Sequence, residues 1–166
     1  FRGRGEDVAA VRRAVKLPVL CKDFLVDPFQ VMLAAAWGAD LILLIAALLT
    51  DAEMKDLAAR AGDYGLEILC EAHTAEEVDR CLAVEGAIIG VNSRDLKTLR
   101  TDLGVARELA DRIPAGRWAV AESGIRAAAE IRDLAARGYR GFLIGESLLR
   151  GNSPGDALRR LLQEAR

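Results

Sequence analysis

Lys22 stands in a short run that is otherwise mostly apolar, Val19-Leu20-Cys21-Lys22-Asp23-Phe24. As an ammonium such a lysine protonates a carbonyl oxygen; as an amine it forms a Schiff base. Four further clusters have the same form, a short apolar run closed by polar groups. Leu66-Glu67-Ile68-Leu69-Cys70 leads to Glu71 and His73, and Ile88-Ile89-Gly90-Val91 leads to Asn92, Ser93 and Arg94. Val120-Ala121 leads to Glu122-Ser123-Gly124, and Leu143-Ile144 leads to Gly145-Glu146-Ser147. Carboxylates serve general acid–base steps, a guanidinium clamps a carboxylate through two parallel bonds, and glycine turns present backbone N–H groups to a phosphate. Each residue also has a plainer reading. Lys22 would snorkel at a strand end, Glu71 would pair with a lysine, Asn92 would cap a turn and Arg94 would lie on the surface. His73 reads as a supporting or structural residue. Glu146 beside a phosphate suits only a backbone N–H contact, with its carboxylate turned away.

The elements that must hold these groups alternate. Apolar spacing marks a helix over Glu6–Val15, after a loop-like opening FRGRGED, and Pro18–Phe24 reads as a strand. Pro28–Trp37 is a helix with Asp27 as N-cap and Gly38 beyond its end. A strand Asp40–Ile45, a helix Asp51–Ala61 capped by Asp51 or Thr50, and a strand Leu66–Ala72 follow. Thr74–Leu82 opens as a capping box of Thr74 with Glu77. Then come a strand Ala87–Asn92, the polar loop SRDLKTLRTD, and a helix Leu103–Ile113. A strand Trp118–Ser123, a helix Ala127–Arg137, a strand Gly141–Gly145 and a final helix Ala157–Ala165 complete the chain. Strands begin roughly 21 to 31 residues apart, near the ~30 per unit of a ~250-residue eight-fold barrel.

Such alternation requires a parallel sheet with helices outside. The expected fold class is therefore α/β, a phosphate-binding (β/α)8 TIM barrel that is incomplete, with strands 3 to 8 of eight present. The expectation is one domain over residues 1–166, lacking its first two strands and an N-terminal extension. In barrels of this kind reactive groups project from the C-terminal strand ends, and phosphate sits after strands 7 and 8. The five polar exits would then line one mouth. A doubly wound sheet competes, but no GxGxxG or GxxxxGK[ST] loop follows any strand.

Composition narrows the classes. The 166 residues are 52% hydrophobic and 29% charged with a net charge of −2, which argues against nucleic acid as a partner. The longest apolar run, Leu41–Leu49, is too short for a membrane span, and no signal peptide opens the chain. Cys21, Cys70 and Cys81 lack CxxC spacing and read as free thiols of a reducing cytoplasm. One histidine, His73, argues against a His-rich metal centre.

The stretches PVLCKDFLVDPFQ, GADLILLIAALL, LEILCEAH, IIGVNSRDLKT, AVAESGI and GFLIGESLLR, in this order, resemble the indole-3-glycerol phosphate synthase family of tryptophan biosynthesis. The order of CKDF, VNSRDLKT and AESGI is specific, whereas AESGI alone recurs among phosphate-binding barrels. The resemblance implies a carboxy-lyase that converts 1-(2-carboxyphenylamino)-1-deoxyribulose 5-phosphate to indole-3-glycerol phosphate, losing carbon dioxide and water. It implies Lys22 as general acid on the ribulose carbonyl, with Glu71 assisting proton transfer and Asn92 and Glu122 orienting substrate and lysine. It places Arg94 near the anthranilate carboxylate and Ser123, Gly124, Gly145 and the Glu146 backbone at the glycerol-phosphate end. No metal or organic cofactor is implied, and the partner is a small phosphorylated substrate, not a membrane. The family also uses a glutamate and a lysine on its first strand and a serine in the next loop, which have no counterpart here. The isolated chain is therefore expected to be impaired. Two other readings stand beside this one. A phosphoribosylanthranilate isomerase-like barrel would use Cys21 in an Asp/Cys acid–base pair. A non-catalytic part-barrel would bind or assemble through exposed sheet edges, with self-association as its mark.

Overall fold

The computed structural model describes residues 3–165. The chain divides into two compact units, one of residues up to 71 together with 79–88, the other of 72–78 together with 89–166.

In the first unit, β1 (Leu20–Cys21), β2 (Leu41–Ile45) and β3 (Glu67–Ala72) pair in parallel, in sequence order. Helices α1 (Gly5–Ala14), α2 (Pro28–Ala36) and α3 (Asp51–Asp63) alternate with them. The register sets Ile45 beside Glu71 and Cys21 beside Ile42. Ile42, Leu44, Val31, Ala34 and Ala61 are fully buried, with Met54 and Leu57 nearly so, and each large side chain withdrawn from water contributes about 1.5–3 kcal/mol. Helix starts follow local chemistry. Asp27 accepts from the Phe29 N–H at 2.7 Å, and the Gln30 carboxamide returns to the Asp27 N–H at 3.1 Å. Thr50, not Asp51, caps α3, and Glu53 reaches back to the Thr50 N–H at 2.7 Å.

The opening expected as loop is helical from Gly5; its Phe1 and Arg2 lie outside the described residues. The strand expected over Pro18–Phe24 is only two residues long. Among the described residues β1 pairs with β2 alone, and Asp23 folds back onto the Phe24 N–H at 2.8 Å, so Lys22 begins a turn. Behind β1, Asp40 joins the Val19 N–H at 2.7 Å and the Arg12 guanidinium at 2.6 Å, tying α1 to the sheet.

In the second unit, β4 (Ile88–Asn92), β5 (Ala119–Glu122) and β6 (Gly141–Leu143) are parallel. Helices α5 (Leu103–Leu109) and α6 (Ala128–Ala136) pack on them over Val91, Ala106, Ala121, Ile125, Leu134 and Tyr139. Tyr139 donates its buried hydroxyl to the Ala106 carbonyl at 2.7 Å. The run expected as one helix over Leu103–Ile113 tightens into a 3-10 turn after Leu109. β6 is shorter than expected, and a one-turn helix α7 (Glu146–Leu149), which the sequence reading did not anticipate, follows it. The last helix, α8 (Pro154–Glu164), starts three residues earlier than expected because Ser153 caps it and Pro154 occupies the first turn.

Candidate active site

The first unit joins Lys22 to Glu71. The Lys22 ammonium donates to Glu71 Oε2 at 2.8 Å across 49 residues of sequence. The partners differ in burial, the lysine side chain being 43% exposed and the glutamate 1%. The glutamate is pinned from behind, because its own carbonyl accepts from the Ala46 N–H at 3.0 Å and its strand register matches Ile45. The plain reading of Lys22 as a strand-end lysine reaching for water accounts for only part of this. A buried carboxylate and a half-exposed ammonium hold a fixed proton donor whose far side faces solvent. Arg80 of α4 (Ala75–Leu82) steadies the loop after β2 by donating to the Ala46 carbonyl at 2.9 Å, to the Leu49 carbonyl and to Asp51 at 2.6 Å. Its place was not apparent from sequence, because an arginine within a helix gives no sign of capping another loop's carbonyls.

Cys21 lies beside Lys22 but is buried, and desolvation, with Asp23 second, raises its pKa. It is held as a thiol.

The second unit gathers Asn92, Ser93, Arg94 and Glu122. Asn92 and Glu122 are strand partners at the ends of β4 and β5, 6% and 1% exposed. The Ser93 N–H donates to the Glu122 carbonyl at 2.9 Å, and the Asn92 side chain accepts from the Arg94 N–H at 3.0 Å. Asn92 thus does the turn duty that its position suggested. It is also held in a single orientation. The loop that follows is organised by Asp95, whose carboxylate accepts from the N–H groups of Lys97 at 2.8 Å and Thr98 at 2.7 Å. Arg94 and Thr101 close it as an antiparallel bridge.

At the end of β5 the chain takes two successive left-handed residues, Ser123 at φ 64° and Gly124 at φ 81°. The conformation is costly for serine and suits glycine. A Cβ on Gly124 would also meet Thr101 Cγ2 at 2.6 Å. Gly145 is different. Its φ of −116° is open to any residue, and a Cβ there would meet nothing within 4 Å. Neither backbone nor neighbour requires glycine there. Ser147 ties the two turns together by donating to the Ile125 carbonyl at 2.9 Å.

Glu146 turns its carboxylate to Arg94 Nη2 at 2.5 Å and to Arg150. Hydrogen bonds from Arg150 and then Arg94 lower its pKa. The Arg150 partner was missed, although the i, i+4 spacing would have shown it had a helix been read at 146.

His73 has a structural placement. Glu77 accepts from the His73 N–H at 2.7 Å and lies 3.2 Å from its Nδ1. The expected capping box is therefore modified. Thr74 still receives the Glu77 N–H at 3.2 Å, but the returning carboxylate takes the residue before it. Among the described residues no group of three or more His, Cys, Asp or Glu side chains is placed to hold a metal ion. No helix among them is long and apolar enough to cross a membrane.

Known proteins fit this frame. In fold the chain is similar to 3-hexulose-6-phosphate synthase from Salmonella typhimurium. The TM-score is 0.82 at 14% identity, over 97% of this chain and 79% of that one. It is also similar to orotidine 5'-phosphate decarboxylase from Pyrococcus horikoshii, with a TM-score of 0.74 at 14% identity, over 98% and 80%. At that identity the likeness speaks for the fold alone: α/β, of the TIM-barrel type, with six parallel strands alternating with helices. Sequence comparison goes further. Indole-3-glycerol phosphate synthases of Azospirillum brasilense and Rhodospirillum rubrum are 46% and 47% identical to it over 98% of its length. The chain spans 62% of the length of each. The family model for indole-3-glycerol phosphate synthase matches residues 1–161, and with these relatives it shows that the chain belongs to that family.

Proposed function

We propose that this chain carries the ring-closing chemistry of indole-3-glycerol phosphate synthase, acting on 1-(2-carboxyphenylamino)-1-deoxyribulose 5-phosphate. The observation that supports it best is the Lys22–Glu71 contact, a solvent-facing ammonium held at 2.8 Å by a carboxylate that is 1% exposed. Ring closure joins an aromatic carbon to the ribulose carbonyl carbon, and the carbonyl oxygen then needs a proton. Lys22 supplies it. Carbon dioxide leaves the same aromatic carbon and its bonding electrons restore the aromatic ring. The new hydroxyl, once protonated, leaves as water while the adjacent nitrogen-bound methylene carbon gives up a proton to form the ring double bond. Glu71 returns the proton to the lysine, and general acid–base help of this kind is worth about 10²–10⁴-fold in rate. Asn92 and Glu122 orient the substrate, and Arg94 takes the aryl carboxylate in its fork. Ser123 contacts substrate, and the backbone at Gly124, Gly145 and Glu146 holds the phosphate, for which the unexplained glycine at 145 leaves room. This is a carboxy-lyase reaction of tryptophan biosynthesis, carried out in the cytoplasm without a cofactor.

The isolated chain is impaired in this reaction, because the family's first-strand glutamate and lysine have no counterpart among its residues. The test combines titration with a reduced, non-cyclising substrate analogue and the fluorescence of indole product. Saturable analogue binding, with turnover far below that of a full-length relative and lost in Lys22→Met, is the expected result. Failure to bind the analogue overturns the reading, and turnover equal to the relative's overturns the impairment.

The isomerase-like reading loses ground at Cys21, since a buried thiol with a raised pKa makes a poor base at neutral pH. Self-association remains part of the proposal. Among the described residues β1 and β6 each pair on one side only, and open strand edges recruit other strands. Size-exclusion chromatography at several concentrations tests it, and a monomer throughout rejects it.

A further inference from the structure

Arg94 is already occupied. Its Nη2 meets Glu146 Oε2 at 2.5 Å and its Nη1 donates to the Leu99 carbonyl at 3.3 Å, so both end-on nitrogens of the guanidinium are engaged within the protein. The Arg94 backbone is held as well, by the Asn92 side chain and by the bridge to Thr101. An incoming carboxylate that takes two parallel bonds from a guanidinium needs Nη2. It must therefore displace Glu146 or sit across one nitrogen from a second carboxylate. The geometry points to Glu146 as an internal competitor, a side-chain carboxylate that occupies Arg94 until a substrate carboxylate replaces it.

Three features fit an exchangeable contact better than a fixed brace. The Arg94 and Glu146 side chains are 32% and 53% exposed, and exposed ion pairs are weak and screened by salt. Glu146 has a second partner in Arg150 of the next helical turn, so its charge stays paired after release. It also sits on a one-turn helix next to Gly145, which no neighbouring atom crowds. The consequence is selectivity. Only a ligand whose anion outbids Glu146 gains Arg94, and ligands that lack a carboxylate leave the pair closed.

This inference rests on the reading that Arg94 takes the aryl carboxylate, and the experiment separates the two. The probe is 2-aminobenzoate, titrated by its own fluorescence into the intact chain, with aniline as the analogue lacking the carboxylate. Glu146→Gln removes the competing charge and should tighten 2-aminobenzoate about two- to fivefold, the range set by exposed ion pairs, with no effect on aniline. Glu146→Asp keeps the charge but shortens the reach by one methylene, and should tighten the probe to a similar degree. An effect of net charge alone would leave Glu146→Asp like the wild type and would overturn the inference. Arg94→Gln should abolish probe binding, and adding Glu146→Gln to it should restore nothing. If Arg94→Gln abolishes binding while Glu146→Gln does not tighten it, the competitor falls and the carboxylate clamp stands. If Arg94→Gln binds like the wild type, the clamp falls and takes the competitor with it.

Discussion

Removing Lys22 should destabilise the fold more than removing the charge of Glu71, although the two share one contact. Lys22→Met removes the ammonium that lies 2.8 Å from a carboxylate only 1% exposed. Glu71→Gln leaves an ammonium that is 43% exposed, which hydrates with little loss. Truncating one partner of a fully buried pair costs about 3–5 kcal/mol, and exposed pairs couple by about 0.2–1 kcal/mol. This pair is buried on one side only, so the coupling between Lys22→Met and Glu71→Gln should be about 1–2 kcal/mol. Lys22→Met alone should cost about 2–3 kcal/mol and Glu71→Gln about 1 kcal/mol. Urea unfolding of the wild type, both single variants and the double variant at neutral pH closes the cycle. Equal costs for the two single variants, or a coupling below about 0.3 kcal/mol, would refute the account of Glu71 as a buried charge held by the lysine.

Three other perturbations follow from the same geometry. Gly124→Ala places a Cβ 2.6 Å from Thr101 Cγ2 at a φ of 81°, and should cost about 1–3 kcal/mol, seen as a lower urea midpoint with an unchanged slope. Tyr139→Phe removes the hydroxyl that meets the Ala106 carbonyl at 2.7 Å and should cost about 0.5–1.5 kcal/mol. Burial raises the Tyr139 pKa above its ordinary 10.0, so its contribution is full below pH 10 and is lost as pH rises beyond it. Alkaline unfolding curves of wild type and Tyr139→Phe should therefore converge. Asp133, lowered chiefly by its hydrogen bond from Arg107 and then by Arg137, has the opposite sign. Its contribution is present above the ordinary carboxylate pKa and disappears as pH falls through the lowered value. Acid unfolding of Arg107→Gln should thus differ little from wild type at low pH and most near neutrality, with the gap shrinking in high salt.

Much of the local structure was legible because it is written in local chemistry. Asp27 and Thr50 announce helix starts within a few residues and Pro28 opens a first turn, whereas the start at Pro154 was read three residues late. The apolar runs of β2, β3 and β4 fall within a residue of where they were expected. The misreadings lie where length or partners decide. β1 shrinks to two residues because pairing on one side ends once Asp23 folds onto the Phe24 N–H. α7 escaped notice because a four-residue helix is too short to show a period.

Family, alternation and the list of polar exits are properties of residue order, and the sequence by itself determined them. Family motifs and helix caps act over a few neighbouring residues and survive in any listing of the chain. Which polar groups meet is another matter. Lys22 and Glu71 are 49 residues apart, and Arg94 and Glu146 are 52. Whether such groups touch depends on strand register, on where each strand stops and on the turn each exit takes. A shift of one residue in a strand sends its side chains to the opposite face. Only the tertiary structure could decide that Glu71 lies buried against the lysine and that Glu146 pairs with Arg94. Both are matters of distance and burial, which a linear pattern does not contain.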